Sequence, residues 1–326
     1  MIPFSSAHAS TIVEYRGTTF VAFFAGSGEG RQDMAIWLYN ASMGILWKVV
    51  DTPTFPNWNP VLFVRSDDGP LCLFYRAGPS PQNWKGRLVH LDWQKLDVLQ
   101  EDHPNISGVF SIDGGPIKNK PIALSNGRVI AGYSTEQGGE WNCYASIAGQ
   151  DLIQWINVKI DKSNIPGRGV IQPALWESEP GHVHMLMRSA MGKLCQSDSY
   201  DYGTTWCPAY PIDVPNNNSG IDLVHVDRTV YLVLNPISDP HISPRNRHCL
   251  EVWGLDELEK ADGAPALVSV TQLENHTGFG PTGERPMEFS YPAIIHHGGD
   301  LLISYTYDRR TVKTQRLPLP LPMVAD

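Results

Sequence analysis

Tyr291, His8, Arg188 and Asp33 are residue types that move protons and hold anions, and they recur at comparable places in a repeated sequence pattern. A phenol with an unperturbed pKa of about 10 and an imidazole of about 6.5 can act as an acid/base pair. A guanidinium forks onto a carboxylate through two parallel hydrogen bonds. The same alignment brings Asn59, Asn119, Lys120 and Gln172 to strand starts, and Arg76 and Glu136 to the ends of the following strands. Lys118 joins Asn119 and Lys120 in the run GGPIKNKP, where two positive charges reach one entrance. Asp222 and Glu136 are candidate bases. A purely structural scaffold would fill such positions with small or apolar side chains. Nearly all of these are polar, ionisable or aromatic, which points to a working site.

The elements that must position these residues are strands. The stretch from Ile171 to Trp206 reads as a four-stranded unit, with strands over 172–176, 182–188 and 193–197. It ends in S-x-D-x-G-x-T-W (Ser199, Asp201, Gly203, Thr205, Trp206), the Asp box. There Ser and Asp bond the turn backbone, Gly takes a positive φ, and Trp pins the hairpin. The box is a turn device and carries no chemistry. The template of polar residue, Pro or small residue, apolar strand, turn and second apolar strand recurs at His8, Asn59, Lys120, Gln172, Ser219 and Tyr291. Weaker boxes are read at 40–47 and 146–155. A spacing of roughly 50 to 70 residues suits a four-stranded propeller blade. The expectation is an all-β, six-bladed β-propeller closed as a single domain over 1–326, with Leu255–Lys260 as its one helical turn.

Composition narrows the function. The net charge is −9, and no basic cluster with interleaved aromatics marks a nucleic-acid surface. No apolar run reaches membrane-spanning length. The opening MIPFSSAHAS carries no signal-peptide pattern, so a cytoplasmic location is expected, or secretion if a leader was trimmed. The five cysteines form no C-x-x-C, so zinc is not expected. No metal site or cofactor is expected, with a structural calcium, for which there is no ligand motif, as the alternative. They read as reduced thiols, with Cys195 and Cys207 a conceivable pair. Trp58 and Trp84 are read as exposed mouth residues suited to stacking on sugar.

Four segments carry a family resemblance: SYDYGTTW, the opening HASTIVEY with FFAGSGEGRQDMAIW, QPALW with MLMRS, and FSYPAII with YTYDRR. With these the chain resembles the sialidase (neuraminidase) superfamily, in its divergent Asp-box branch, over nearly its whole length. The resemblance implies that Asp33 is a general acid/base, Tyr291 the nucleophile, and Arg188 and Arg247 clamps on a substrate carboxylate. It also exposes two departures. His8 stands where the family has its first clamp arginine, and Gln172 where it has the glutamate that takes the tyrosine proton. The resemblance therefore implies an exo-glycoside hydrolase acting on a terminal acidic sugar or related small acid. A lyase, isomerase or cyclase using Tyr291 and His8, or a lectin-like propeller, are the alternatives. Lys118, Asn119, Lys120, Arg76, Asn59, Gln172, Glu136 and Asp222 complete the expected substrate contacts.

Overall fold

Alternation along each strand sends successive side chains to opposite faces of a sheet. Here both faces are apolar. On the strand Leu71–Ala77, the side chains of Leu71, Leu73 and Tyr75 enter one core while Cys72 and Phe74 enter another. A sheet with two apolar faces must be covered on both, and a ring of sheets achieves this. The computed structural model describes residues 3–66, 68–91, 106–149, 151–238, 246–256, 268–279 and 286–321. It is a six-bladed β-propeller.

Blade 1 is β1 (Ser6–Tyr15), β2 (Thr18–Gly26), β3 (Ala35–Asn40) and β4 (Ile45–Val50). Blade 2 is β5 (Asn57–Phe63), β6 (Leu71–Ala77), β7 (Lys85–Leu91) and β8 (Ile106–Ile112). Blade 3 comprises β9 (Ile122–Ala123), β10 (Val129–Gln137), β11 (Glu140–Ala148) and β12 (Trp155–Lys159). Blade 4 comprises β13 (Val170–Glu179), β14 (His182–Ser189), β15 (Lys193–Ser199) and β16 (Tyr210–Pro215). Blade 5 holds β17 (Asp222–Val226), β18 (Thr229–Leu234), β19 (Cys249–Asp256) and β20 (Val268–Asn275). Among the described residues blade 6 has three strands, β21 (Phe289–His297), β22 (Asp300–Tyr307) and β23 (Thr311–Pro318). Each blade is antiparallel, and one apolar core fills each gap between neighbours. The core joining blade 6 to blade 1 contains Ala7, Ile12, Val21 and Ala293, and among the described residues no strand is exchanged across it.

The fourth strand of blade 4 follows the Asp box, so the unit read as ending at Trp206 extends to Pro215. In the box, Ser199 Oγ accepts the Gly203 N–H at 2.9 Å, and Asp201 Oδ1 accepts the Thr205 N–H at 2.8 Å. Trp206 Nε1 donates to the Gly203 carbonyl at 2.8 Å. The weaker boxes solve the same turn with other residues. Asn40 Oδ1 accepts the Ser42 and Met43 N–H groups, and Trp155 Nε1 donates to the Leu152 carbonyl. All five thiols are free, so Cys195 and Cys207 are not bonded. The expected helical turn falls mostly outside the described residues, and Leu255 and Asp256 belong to β19. Among the described residues no helix is long and apolar enough to cross a membrane.

Candidate functional site

Each inner strand is entered through a residue in the left-handed region. These are Ala9 (φ 53°), Asn59 (43°), Lys118 (70°), Gln172 (52°), Asn218 (66°) and Tyr291 (50°). Register shifts mark a bulge at four of them, between His8 and Thr11, Trp58 and Val61, Ile171 and Ala174, and Ser290 and Ala293. A bulge re-aims one side chain, and a non-glycine residue holds this conformation only when its surroundings enforce it. Asn59, Gln172 and Tyr291 precede proline, which adds to the restriction. The six left-handed residues, four of them at bulges, therefore re-aim side chains at the entry of every inner strand.

Arg188, at the end of β14, is the hub. Its Nη1 donates to Gln172 Oε1 at 2.8 Å and to the Tyr291 hydroxyl at 2.9 Å, and its Nε donates to Asn218 Oδ1 at 3.0 Å. Its guanidinium also lies 5.7 Å from the ring centroids of Trp141 and Tyr291. All three hydrogen-bond acceptors are neutral. Arg188 is only 7% exposed, and among the described residues no carboxylate lies within ion-pair distance of it.

Arg247 lies 5.3 Å from the Tyr291 ring centroid and pairs with Glu288 Oε1 at 3.0 Å. Glu288 Oε2 accepts from Arg309 Nε at 2.7 Å, and Arg309 in turn reaches Glu29. Burial works to raise the Glu288 pKa, but Arg247 and Arg309 outweigh it and hold the carboxyl well below its usual range. The Nε of Arg247 is buried without a hydrogen-bond acceptor among the described residues. Three guanidiniums (Arg188, Arg247, Arg309) thus face two carboxylates (Glu288, Glu29), a positive pocket in a chain of net charge −9.

Burial tends to raise the Tyr291 pKa. Arg188 and Arg247 reverse that, and the net direction is downward from the ordinary phenol. Because Arg188 donates to the phenol oxygen, it stabilises the phenolate directly. Among the described residues no group accepts the Tyr291 hydroxyl proton. His8 lies across from it, ring centroids 4.3 Å apart at 50°. Burial, then the nearby arginines, push the His8 pKa well below its ordinary value, so the ring is neutral at pH 7. Thr306 Oγ1 accepts the Ala9 N–H at 3.1 Å and sits 3.0 Å from His8 Nδ1. Thr306 Oγ1 already accepts the Ala9 N–H, so its hydroxyl is assigned as the donor to Nδ1, which leaves the proton on Nε2. His8 Nε2 is buried without another partner among the described residues.

The structure thus brings together Tyr291, His8, Arg188, Arg247 and Gln172. It does not bring Asp33 into that cluster. Asp33 is exposed, both its carboxylate oxygens accept from Ser27 (N at 2.9 Å, Oγ at 2.8 Å), and it lines an open cleft of about 290 Å3 with Phe4 and Ser5. Arg76 is a structural residue, since its Nη2 donates to the carbonyls of Gly114, Gly115 and Pro116. Lys118, Asn119 and Lys120 are not free to meet a substrate either. Lys118 Nζ donates to the Ile221 carbonyl at 2.6 Å and to that of Pro292. Asn119 Nδ2 donates to the carbonyls of Gln172 and Pro173. Lys120 pairs with Asp222 Oδ2 at 2.8 Å, and that oxygen also accepts the Ile294 N–H, so Asp222 is a structural anion rather than a base. Glu136 is half-exposed on β10, and no described contact ties it to the cluster. Asn59 is buried at its bulge in blade 2. Trp58 is buried rather than exposed, its Nε1 donating to the Gly78 carbonyl at 2.9 Å. Sequence reasoning missed Glu288, Arg309, Trp141 and Thr306. Glu288 adjoins FSYPAII, and Thr306 and Arg309 lie within YTYDRR, segments singled out for other reasons.

Comparison with known proteins gives the same architecture. A family model described as a BNR repeat-like domain matches residues 17–303. No curated protein matches the sequence. A Dyadobacter fermentans protein of unknown function superposes with a TM-score of 0.70 at 12% identity, covering 98% of this chain and 96% of its own. Trypanosoma rangeli sialidase, in complex with the inhibitor DANA, gives 0.69 at 13% identity over 93% of this chain and 53% of that one. A mutant NanB sialidase from Streptococcus pneumoniae gives 0.52 at 12%, over 98% and 57%. This chain spans about half the length of those sialidases. At such identities the likeness is one of fold.

Proposed function

The chain belongs to the BNR repeat-like family, built as a sialidase-like propeller, and on that basis we propose that it is an enzyme acting on a carboxylate-bearing sugar. One observation carries this reading: Arg188 is a buried cation whose acceptors are all neutral. A buried charge without a counter-charge is strongly unfavourable unless a ligand supplies one. A substrate carboxylate does so, and the unpartnered Nε of Arg247 offers a second donor.

Tyr291 is the reacting group. Cations rather than a base favour its phenolate, so the missing glutamate is replaced electrostatically. The Tyr291–His8 pair favours elimination. Arg188 neutralises the carboxylate, which acidifies the carbon beside it. On a uronic acid the Tyr291 phenolate takes the C5 proton, the C4–O bond breaks as the C4–C5 double bond forms, and the departing oxygen, hydrogen-bonded by His8 Nε2–H, takes that proton back from the Tyr291 phenol. Hydrolysis is the second reading. It rests on the sialidase-like fold and on the loop carrying Glu29, which Arg309 holds at the pocket.

Incubation with glycans ending in uronic or sialic acids, followed by product mass, tests both. Elimination yields an unsaturated acid with new ultraviolet absorbance and no added water, whereas hydrolysis adds one water. Arg188→Ala is expected to weaken binding of an acidic ligand by about 2–5 kcal/mol. Equal turnover of neutral and acidic glycosides would overturn the proposal.

A further inference from the structure

At the other end of β14 from Arg188 lies a second cluster that the reaction does not use. His182 and His184 stand two residues apart on one strand and so share a face. Asp198 on β15 is the direct cross-strand partner of His184. One ligand atom from each of the three lies within 4.8 Å of the others. The two imidazole centroids are 4.0 Å apart, and His184 Nδ1 is 2.6 Å from Asp198 Oδ1. We propose that His182, His184 and Asp198 bind a divalent first-row transition ion of the zinc class.

The donor set selects the ion. Two imidazoles and one carboxylate suit zinc, copper, nickel or iron, whereas calcium and magnesium call for oxygen shells. The supporting residues hold the ligands in place. His184 stacks flat on Trp176, with centroids 4.5 Å apart at 17°, and its Nε2 lies 2.8 Å from Ser178 Oγ. Asp198 Oδ1 also accepts from Gln196 at 2.8 Å, and Oδ2 accepts from the Tyr210 hydroxyl at 2.6 Å. Orienting bonds of this kind fix the tautomer and direction of metal ligands. In the loaded site the ion replaces the proton shared by Nδ1 and Oδ1, and these atoms, 2.6 Å apart without it, separate to about 3.3 Å to take bonds of about 2.0 Å each. Nε2 then carries the imidazole proton and donates to Ser178. His184 is buried, while His182 and Asp198 are partly exposed and give the ion a way in.

The same contacts also align Ser178, His184 and Asp198 as a nucleophile relay. That reading lacks an oxyanion donor: the Gly181 N–H of the adjoining turn is taken by Glu177 Oε1 at 2.9 Å. The cluster is also remote from the channel chemistry. Four residues of strand separate His184 from Arg188, about 13 Å. Trp176 and Leu186 on the same face belong to the core between blades 4 and 5. An ion there acts as a staple joining β14 to β15 immediately before the Asp box, which opens at Ser199.

The intact chain, stripped with a chelator, is titrated with Zn2+ against a chromophoric competitor, and with Co2+ followed by visible absorption. One ion per chain is expected, with the Co2+ bands of nitrogen ligation and a higher Tm. His182→Ala should weaken binding at least about 10-fold and abolish the Co2+ bands. Because His182 also stacks on Tyr200, with centroids 4.3 Å apart, His182→Phe, which keeps the stack and removes the ligand atom, should lose binding to the same extent. His296→Ala with His297→Ala, two exposed histidines at the end of β21, should leave binding unchanged. Absence of binding, or binding that survives His182→Ala, overturns the proposal.

Discussion

Gln172 shows how one atom type redirects a site. Its Oε1 accepts from Arg188, and the same Nη1 bonds Tyr291. A carboxylate at this position would pair with the guanidinium 2.8 Å away and cancel the charge that lowers the Tyr291 pKa. Gln172→Glu is therefore expected to weaken acidic-ligand affinity by about 10-fold or more, about 1.4 kcal/mol, as read by calorimetry. It should not create a better nucleophile. Tyr291→Phe should lower turnover by about 10²–10⁴-fold, with ligand affinity changed far less, because Arg188 and Arg247 remain. Phe retaining full turnover would remove the phenol from the mechanism. If Tyr291 works as the phenolate, activity should rise with pH through a midpoint below the ordinary phenol value, and His8, already neutral, should add no second limb above pH 7.

Among the elements, the segment 118–120 is the most informative. From the third blade it crosses the channel floor. Lys118 reaches blades 5 and 6, Asn119 reaches blade 4, and Lys120 reaches blade 5 through Asp222. The Pro292 carbonyl that Lys118 holds adjoins Tyr291, so this axle supports the strained backbone there. Burial lowers the Lys118 pKa from 10.5 to about 7, with Asp222 opposing and Lys120 and Arg188 assisting. Between those two values the unfolded chain holds a proton that the folded chain has released. Stability therefore rises with pH across that window, by a few kcal/mol in total. The neutral amine keeps two N–H groups for its two carbonyls. Lys118→Met should flatten the rise in urea-unfolding free energy between pH 7 and 10, and an unchanged slope would show that Lys118 stays charged. The propeller itself was legible because its polar strand starts recur in register, and all six sit at inner-strand entries. What was not legible was side-chain direction. A single left-handed residue redirects the chain, so Lys118 (φ 70°), ahead of β9, turns inward to backbone carbonyls instead of outward to substrate. Asp33 failed for a local reason, since a serine six residues earlier satisfies both its oxygens.

For the whole molecule, ring closure and chemistry meet at one hydroxyl. Among the described residues blades 1 and 6 exchange no strand, and they meet through the apolar core between them, the Ala7 N–H to Arg309 carbonyl bond at 2.9 Å, and Thr306. Thr306 Oγ1 accepts the buried Ala9 N–H and orients His8 through Nδ1. Thr306→Val keeps the shape and removes both bonds. The Ala9 N–H is then left buried without an acceptor, a loss of about 1–3 kcal/mol. His8 loses the partner that sets its tautomer, so its Nε2 no longer presents a defined donor to the channel. The expected outcome is a lower urea midpoint with an unchanged m-value, since the folded shape persists, together with a fall in turnover larger than the fall in ligand affinity. Thr306→Ser retains the hydroxyl and should recover most of both. If Thr306→Val destabilises the chain but leaves turnover intact, closure and chemistry are separable, and His8 needs no orientation from blade 6.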